Sequence, residues 1–125
     1  MQNYNEKLKI DIRKRGYIYA LKIIKLVENL PQNKICKVIS NQLLRSATSI
    51  GANIIEAQAS PSKRDFTIFL NHALKSANES KFWLGLLRDS GQVVPEKVNP
   101  LLEETNEISN ILAASILTIR GKRKF

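Results

Sequence analysis

The residues able to perform nucleophilic or metal chemistry are few. The chain has one histidine, His72, and one cysteine, Cys36. A catalytic nucleophile needs a base held beside it. At helical spacing, the neighbours of His72 are Ile68 and Ser76, which orient an imidazole poorly. His72 therefore reads as a partly buried helix residue. Cys36 stands among Ile35, Val38 and Ile39 and reads as a small buried hydrophobe rather than a reactive thiol. One His and one Cys do not make a zinc site. The Glu-x-x-His pairs of di-iron bundles are missing, since Phe69 stands three residues before His72. No glycine-rich phosphate loop occurs. Neither catalysis nor a cofactor nor a metal is expected.

Charge is the chemistry present in quantity. Lys and Arg number 20 against 11 Asp and Glu, a net charge of +9 on 125 residues. Residues 1–64 hold 12 basic and 4 acidic side chains, whereas residues 65–125 hold 8 and 7. Four of those last basic residues, Arg120, Lys122, Arg123 and Lys124, close the chain. An imbalance of this size on a small domain points to a polyanionic partner, with nucleic acid ahead of an anionic membrane. A membrane-surface helix would set Trp or Phe beside its lysines, and Trp83 lies away from the lysine-rich stretch, so no membrane partner is expected. The opening MQNYNEKLKIDIRKRGY has no apolar signal-peptide core. No stretch approaches the ~18 apolar residues of a membrane span. A lone thiol suits a reducing compartment, so a cytoplasmic protein is expected.

These side chains need elements to position them, and the punctuation marks those elements out. Pro31, Pro61, Gly91 with Pro95, and Gly121 separate long segments of helical periodicity. Helices are predicted over about 12–29, 33–57, 62–89 and 95–120, with a flexible basic tail at 121–125 and a mobile stretch of about ten residues at the start. Ser60 before Pro61, or Ser62 with Asp65 three residues on, supplies the cap of the third helix. Short connections between long helices predict one all-α domain over 1–125, an antiparallel up-down-up-down four-helix bundle.

The first helix is apolar on two adjoining sides. Tyr17, Ala20, Leu21, Ile24 and Val27 form one stripe, and Tyr19, Ile23, Leu26 and Leu30 another. That exceeds the ~100° stripe of an ordinary surface helix and calls for two neighbours. Lys14, Lys22 and Lys25 line the remaining face with Arg15 beside them. Together with Arg120, Lys122, Arg123 and Lys124, they are the expected phosphate contacts. Ile35, Val38, Ile39, Leu43, Ala47, Ile50 and Ile54 are the expected apolar face of the second helix. On the third, Ile68, His72, Trp83 and Leu86 lie on a face beside the main stripe.

The stretch RSATSIGANIIEA, Arg45–Ala57, concentrates small residues in an otherwise buried-looking helix. Gly51 costs up to ~1 kcal/mol relative to Ala there, so something requires it. The third helix has a matching small run in Ala73, Ser76, Ala77 and Ser80, and two such strips would let the helices pack closely. Arg45, Ser49, Asn53 and Glu56 fall on one polar ridge, suited to a subunit interface or a ligand.

Gln42–Ala57 and Ser62–Leu87 resemble the small bacterial four-helix-bundle proteins first noticed as reading frames in 23S ribosomal RNA intervening sequences. That superfamily also contains the accessory variability proteins of diversity-generating retroelements. The resemblance is carried by Leu43, Arg45, Ser46, Ser49, Ile50, Asn53, Ile54 and Glu56, then Ser62, Lys63, Asp65 and Phe66, then Glu79, Phe82 or Trp83, and Leu84. It spans about residues 12–120. It implies a non-enzymatic protomer that assembles into a homopentameric barrel. In the retroelement branch it further implies a basic barrel that binds nucleic acid and associates with a reverse transcriptase. The residue-level expectation agrees in kind: an oligomeric bundle binding RNA or DNA. The alternative is a protein-interaction scaffold whose basic face is a solvated surface or a docking site for an acidic protein.

Overall fold

A computed structural model of the chain describes the backbone of residues 4–123 and the side chains of residues 12–121. Four helices account for almost all of it: α1 (Tyr4–Glu28), α2 (Lys34–Ala59), α3 (Lys63–Asp89) and α4 (Pro95–Arg123). There is no strand among the described residues.

Local chemistry explains the boundaries. Asn33 caps α2 by accepting the Cys36 N–H at 2.9 Å, and Ser62 caps α3 by accepting the Asp65 N–H at 3.1 Å. Ser60 instead ends α2, its N–H bonded to the Ala57 carbonyl. The α3 terminus is a Schellman turn. Gln92 N–H reaches the Leu87 carbonyl and Gly91 N–H the Arg88 carbonyl, each at 3.1 Å. Gly91 takes φ +79° there, a conformation that disfavours any side chain. Pro95 opens α4, and Pro100 lies within it at the cost of one hydrogen bond.

Two boundaries differ from expectation. α1 begins at Tyr4 rather than near Ile12, and α4 continues through Gly121 to Arg123. Nothing between Tyr4 and Ile12 breaks a helix, and a single glycine costs only ~1 kcal/mol. Lys124 and Phe125 of the expected tail lie outside the described residues.

Each helix packs on its chain neighbours and α1 also meets α4, while among the described residues the backbones of the diagonal pairs, α1 with α3 and α2 with α4, do not approach each other. The four therefore stand as corners of a square. Their directions follow from side-chain pairs. Ser46 bonds Ser80 and Ser49 bonds Ser76, so α2 and α3 run antiparallel. Asn33 Nδ2 donates to Gln92 Oε1 at 3.1 Å, which puts the α1–α2 and α3–α4 connections at one pole. That arrangement is up-down-up-down.

The core is drawn from all four helices. Tyr19, Ile23, Leu43, Ile50, Ile54, Leu84, Leu87, Val98 and Ile108 are fully buried. Cys36 is buried beneath the α1–α2 connection, as expected, with its thiol 3.4 Å from Gln92 Oε1. Gly51 has a specific partner. A Cβ built on Gly16 of α1 would stand 3.1 Å from the Gly51 Cα, and one on Gly51 would stand 3.4 Å from the Gly16 carbonyl group. The glycine thus serves the α1–α2 crossing, not the α2–α3 seam to which the small-residue pattern pointed.

Candidate interaction surfaces

Three surface regions collect the residues singled out by sequence, and the helices sort them differently from the sequence pattern. The outward side of α1 is the first. Lys14, Lys22 and Lys25 are exposed there. Lys25 has a weak pairing with Glu28 at 3.8 Å, while Lys14 and Lys22 have no ion pair among the described residues. Arg15 behaves otherwise. Its guanidinium donates twice to Glu104, at 2.7 and 3.2 Å, and once to Glu107 at 2.8 Å. The hydrogen bond from Arg15 holds the Glu104 carboxyl below the usual carboxylate range, against the upward push of burial. Glu104 in turn raises the Arg15 pKa. Arg15 is thus engaged in clamping α1 to α4.

The stripe Tyr17, Leu21 and Ile24 remains on the surface, with Tyr17 69% and Leu21 47% exposed. Ile18 joins it, and Ile18, Leu21 and Ile24 face a shallow groove with Leu101 of α4. The other stripe, Tyr19, Ile23 and Leu26 with Leu30 just past the end of α1, enters the core together with Ile12, and Val27 packs half-buried against it. α1 thus has its two neighbours in α2 and α4, yet its outer stripe stays uncovered among the described residues.

The α2–α3 seam is the second region, and it holds the polar ridge. Arg45 pairs with Glu79, and Trp83 Nε1 donates to the same carboxylate oxygen at 2.9 Å. Ser49 Oγ meets Ser76 Oγ at 2.9 Å, and Asn53 Nδ2 donates to the Ser49 carbonyl and hydroxyl, each at 2.9 Å. Ser46 and Ser80 repeat the pattern deeper in. Three of the motif residues expected as structural or interface positions, Arg45, Ser49 and Glu79, therefore bond across the α2–α3 seam, while Asn53 bonds back to Ser49 on its own helix. Trp83 is half-buried beside them and stacks edge-on against Phe82. Phe66 is half-buried against the core. Glu56 is exposed, with no ion pair among the described residues.

Apolar side chains surround this seam on the outside. Val38, Ile35, Ile68, Phe82 and Leu86 are all exposed, although Ile35 and Val38 were expected on the apolar face of α2. His72 is also exposed rather than partly buried, with its ring 6.0 Å from that of Phe69.

The third region is the pole where α2 ends and α3 begins. Arg120 is exposed there, and so are Lys63, which the sequence offered only as a motif residue, and Arg64. The side chains of Lys122 and Arg123, and all of Lys124, lie outside the described residues.

Sequence reading also missed Glu104 and Glu107 as the partners of Arg15. Nothing local signals a partner that distant in the chain. The serine pairs were more accessible: Ser46 and Ser49 mirror Ser80 and Ser76 about the Pro61 turn, as antiparallel helices require. A buried link between α1 and α4 was likewise unforeseen. Tyr19 OH and Thr105 Oγ1 lie 2.7 Å apart, and burial pushes the Tyr19 hydroxyl pKa up to about 12 although bonds to Thr105 and Ser80 oppose it.

Among the described residues no three His, Cys, Asp or Glu gather as a metal site, and no helix is long and apolar enough to cross a membrane. What the three regions present is charge and apolar surface.

Residues 8–114 match the family described as 23S rRNA-intervening sequence protein. A solved structure, a protein of unknown function from the S23 ribosomal protein family of Bacteroides thetaiotaomicron, superposes with a TM-score of 0.81 at 36% identity. The match covers 86% of this chain and 96% of that one. No curated protein matches the chain.

Proposed function

This chain belongs to the 23S rRNA-intervening sequence protein family, and we propose that it is a non-catalytic bundle subunit that assembles with copies of itself and binds nucleic acid through its positive surface. The observation that carries the proposal is the state of the charges. Glu79, Glu104 and Glu107 are tied to arginines, whereas Lys14 and Lys22 stand exposed with no ion pair among the described residues. The chain as a whole carries a net charge of +9. Clustered surface cations of this kind attract phosphates and release counterions. They position a backbone and carry little sequence information.

Assembly rests on the apolar surface. One exposed stripe is on α1 (Tyr17, Leu21, Ile24), and another is on α3 (Ile68, Phe82, Leu86). α1 and α3 occupy opposite corners of the square. A contact between two different faces is heterologous, and it closes into a ring when the rotation allows. Five copies, the number implied by the resemblance to barrel-forming bundles, would repeat the positive surface around that ring. An rRNA intervening sequence and a nucleic acid held with a reverse transcriptase are the two settings that this reading covers.

The test is a titration of the purified protein with a structured RNA and a duplex DNA at roughly 50 and 200 mM salt. Six or more phosphate contacts predict a loss of about a thousandfold or more in affinity between the two salts. Replacing Lys14, Lys22 and Lys25 together by Glu should weaken binding and leave the assembly intact. Weak, flat binding at both salts would remove the nucleic-acid role. It would favour the second reading, a scaffold for an acidic protein partner, to which the lysine-flanked apolar stripe of α1 is also suited. Loss of the assembly in the triple variant would make those lysines structural.

A further inference from the structure

We infer that the pole where α3 begins and α4 ends carries a second nucleic-acid contact, in which Lys63, Arg64 and Arg120 together grip the phosphate backbone. The inference rests on the nucleic-acid reading above and adds to it a place that the α1 lysines do not occupy.

Register brings the three together. Arg88 Nη1 donates to Asn99 Oδ1 at 2.8 Å, which sets α3 level with α4 at that point. The two helices are adjacent and antiparallel. Stepping equally away from this bond, up α4 and back along α3, brings Arg120 level with Thr67. Lys63 and Arg64 follow within about one more turn, ~5.4 Å. The steps span nearly six turns on both helices, so Arg120 returns to the side of α4 that faces α3. Adjacent helix axes lie ~8–10 Å apart, so Lys63 and Arg120 border one short stretch of surface, with Arg64 at its edge about 100° round α3 from Lys63.

All three are exposed, and none has an ion pair among the described residues. The acidic residues of α4 that could neutralise them, Glu96, Glu103, Glu104 and Glu107, sit in its other half, and Arg15 holds two of those. Near this pole the described acids are Asp65 and Glu56, both without ion pairs. α4 stays helical through Arg123, so Arg120 projects from a formed helix rather than from a loose tail.

Placement of two of the cations runs against local stability. Lys63 and Arg64 are the first two residues of α3, where the helix dipole disfavours positive charge. Asp65 is the one acid in that first turn, so two cations there outnumber it. The partner that compensates is a polyanion whose phosphates span both helices.

The test compares three proteins on one B-form DNA duplex by fluorescence anisotropy across about 50–200 mM salt: wild type, Lys63→Ala/Arg64→Ala/Arg120→Ala, and Lys14→Glu/Lys22→Glu/Lys25→Glu. Circular dichroism and solution mass check that each variant keeps its fold and assembly. Because all three pole residues are exposed, the alanine variant should fold. Each lost phosphate contact lowers the slope of log affinity against log salt by about 0.9. The pole variant is therefore expected to lose about 2 to 3 from the slope per protomer engaged. A slope equal to that of wild type, with wild type binding and the α1 variant impaired, overturns the pole contact and leaves the nucleic-acid reading standing. Wild type that does not bind overturns both. If the alanine variant were misfolded, the single Arg64→Gln variant, expected to lose about 1 from the slope, decides by the same measure.

Discussion

At the scale of single residues, Gly16 and Gly51 show how a sequence can announce a need without naming what fills it. The cost of Gly51 inside a helix is visible in the pattern; its counterpart Gly16 is not, because the two meet only when α1 crosses α2. The two positions are not equivalent. A methyl at Gly16 would press on backbone at 3.1 Å, whereas one at Gly51 meets its nearest atoms at 3.4 Å. Gly16→Ala should therefore destabilise by about 1–3 kcal/mol through overpacking. Gly51→Ala should come out near neutral, because the helix-propensity gain of up to ~1 kcal/mol offsets the tighter contact. Urea unfolding of the two variants measures the difference.

Tyr19 offers a second residue-scale prediction. Its pKa rises from 10.0 to about 12 in the fold. A raised acid contributes stability that is complete below the unfolded value and is lost as pH climbs through the folded one. Wild type should lose stability between pH 10 and 12, and Tyr19→Phe should lose less over the same window. At pH 7 the Phe variant should be weaker by about 1 kcal/mol for the missing hydrogen bond.

At the scale of elements, four helices and their order were legible, and Ser62 was one of the two caps read for α3, whereas the Asn33 cap of α2 was not read. Those features depend on neighbours three or four residues away, on Ser62 with Asp65 and on the glycine after α3. The surface of α1 was half legible. Two apolar stripes can be counted in the sequence, but periodicity does not say which faces its own core. The answer came from Tyr19 finding Thr105 and from Gly16 finding Gly51, both partners on other helices. The other stripe should be sticky. Leu21→Glu with Ile24→Glu is expected to reduce the solution mass to that of one protomer while helical circular dichroism is retained; an unchanged mass would place the assembly contact elsewhere.

The ion pair between α1 and α4 is an element-scale device as well. The Glu104 carboxyl titrates below its ordinary value of 4.5. Its contribution is complete above that value and is lost as pH falls through the folded pKa. Thermal melts between pH 7 and 3 should fall more steeply for wild type than for Glu104→Gln.

For the whole molecule, net charge was readable from composition, whereas its distribution was not. Arg15 looked like one more cation on a basic face until Glu104 and Glu107 were found beside it. Lys63 looked like part of a family motif, and Arg64 like one more surface charge, until antiparallel packing set them near Arg120. Long-range pairing decides which charges remain available to a partner, and it is the quantity least written in local pattern.

That same pairing bears on how the molecule comes together and apart. The bonds joining α2 to α3 link residues 27 to 34 apart in the chain. Those joining α1 to α4 link residues 86 to 92 apart. Closing the longer loops costs about 1 kcal/mol more in chain entropy, and the α1–α4 contact is also the slimmest of the four. Folding should start in the central hairpin and finish at the seam between first and last helices. Native-state hydrogen exchange should accordingly find the slowest amides in α2 and α3 and the faster ones in α1. A bundle that breathes along that seam can lend its first helix to a neighbouring copy and accept one in return, an exchange that mixing two differently labelled preparations would reveal.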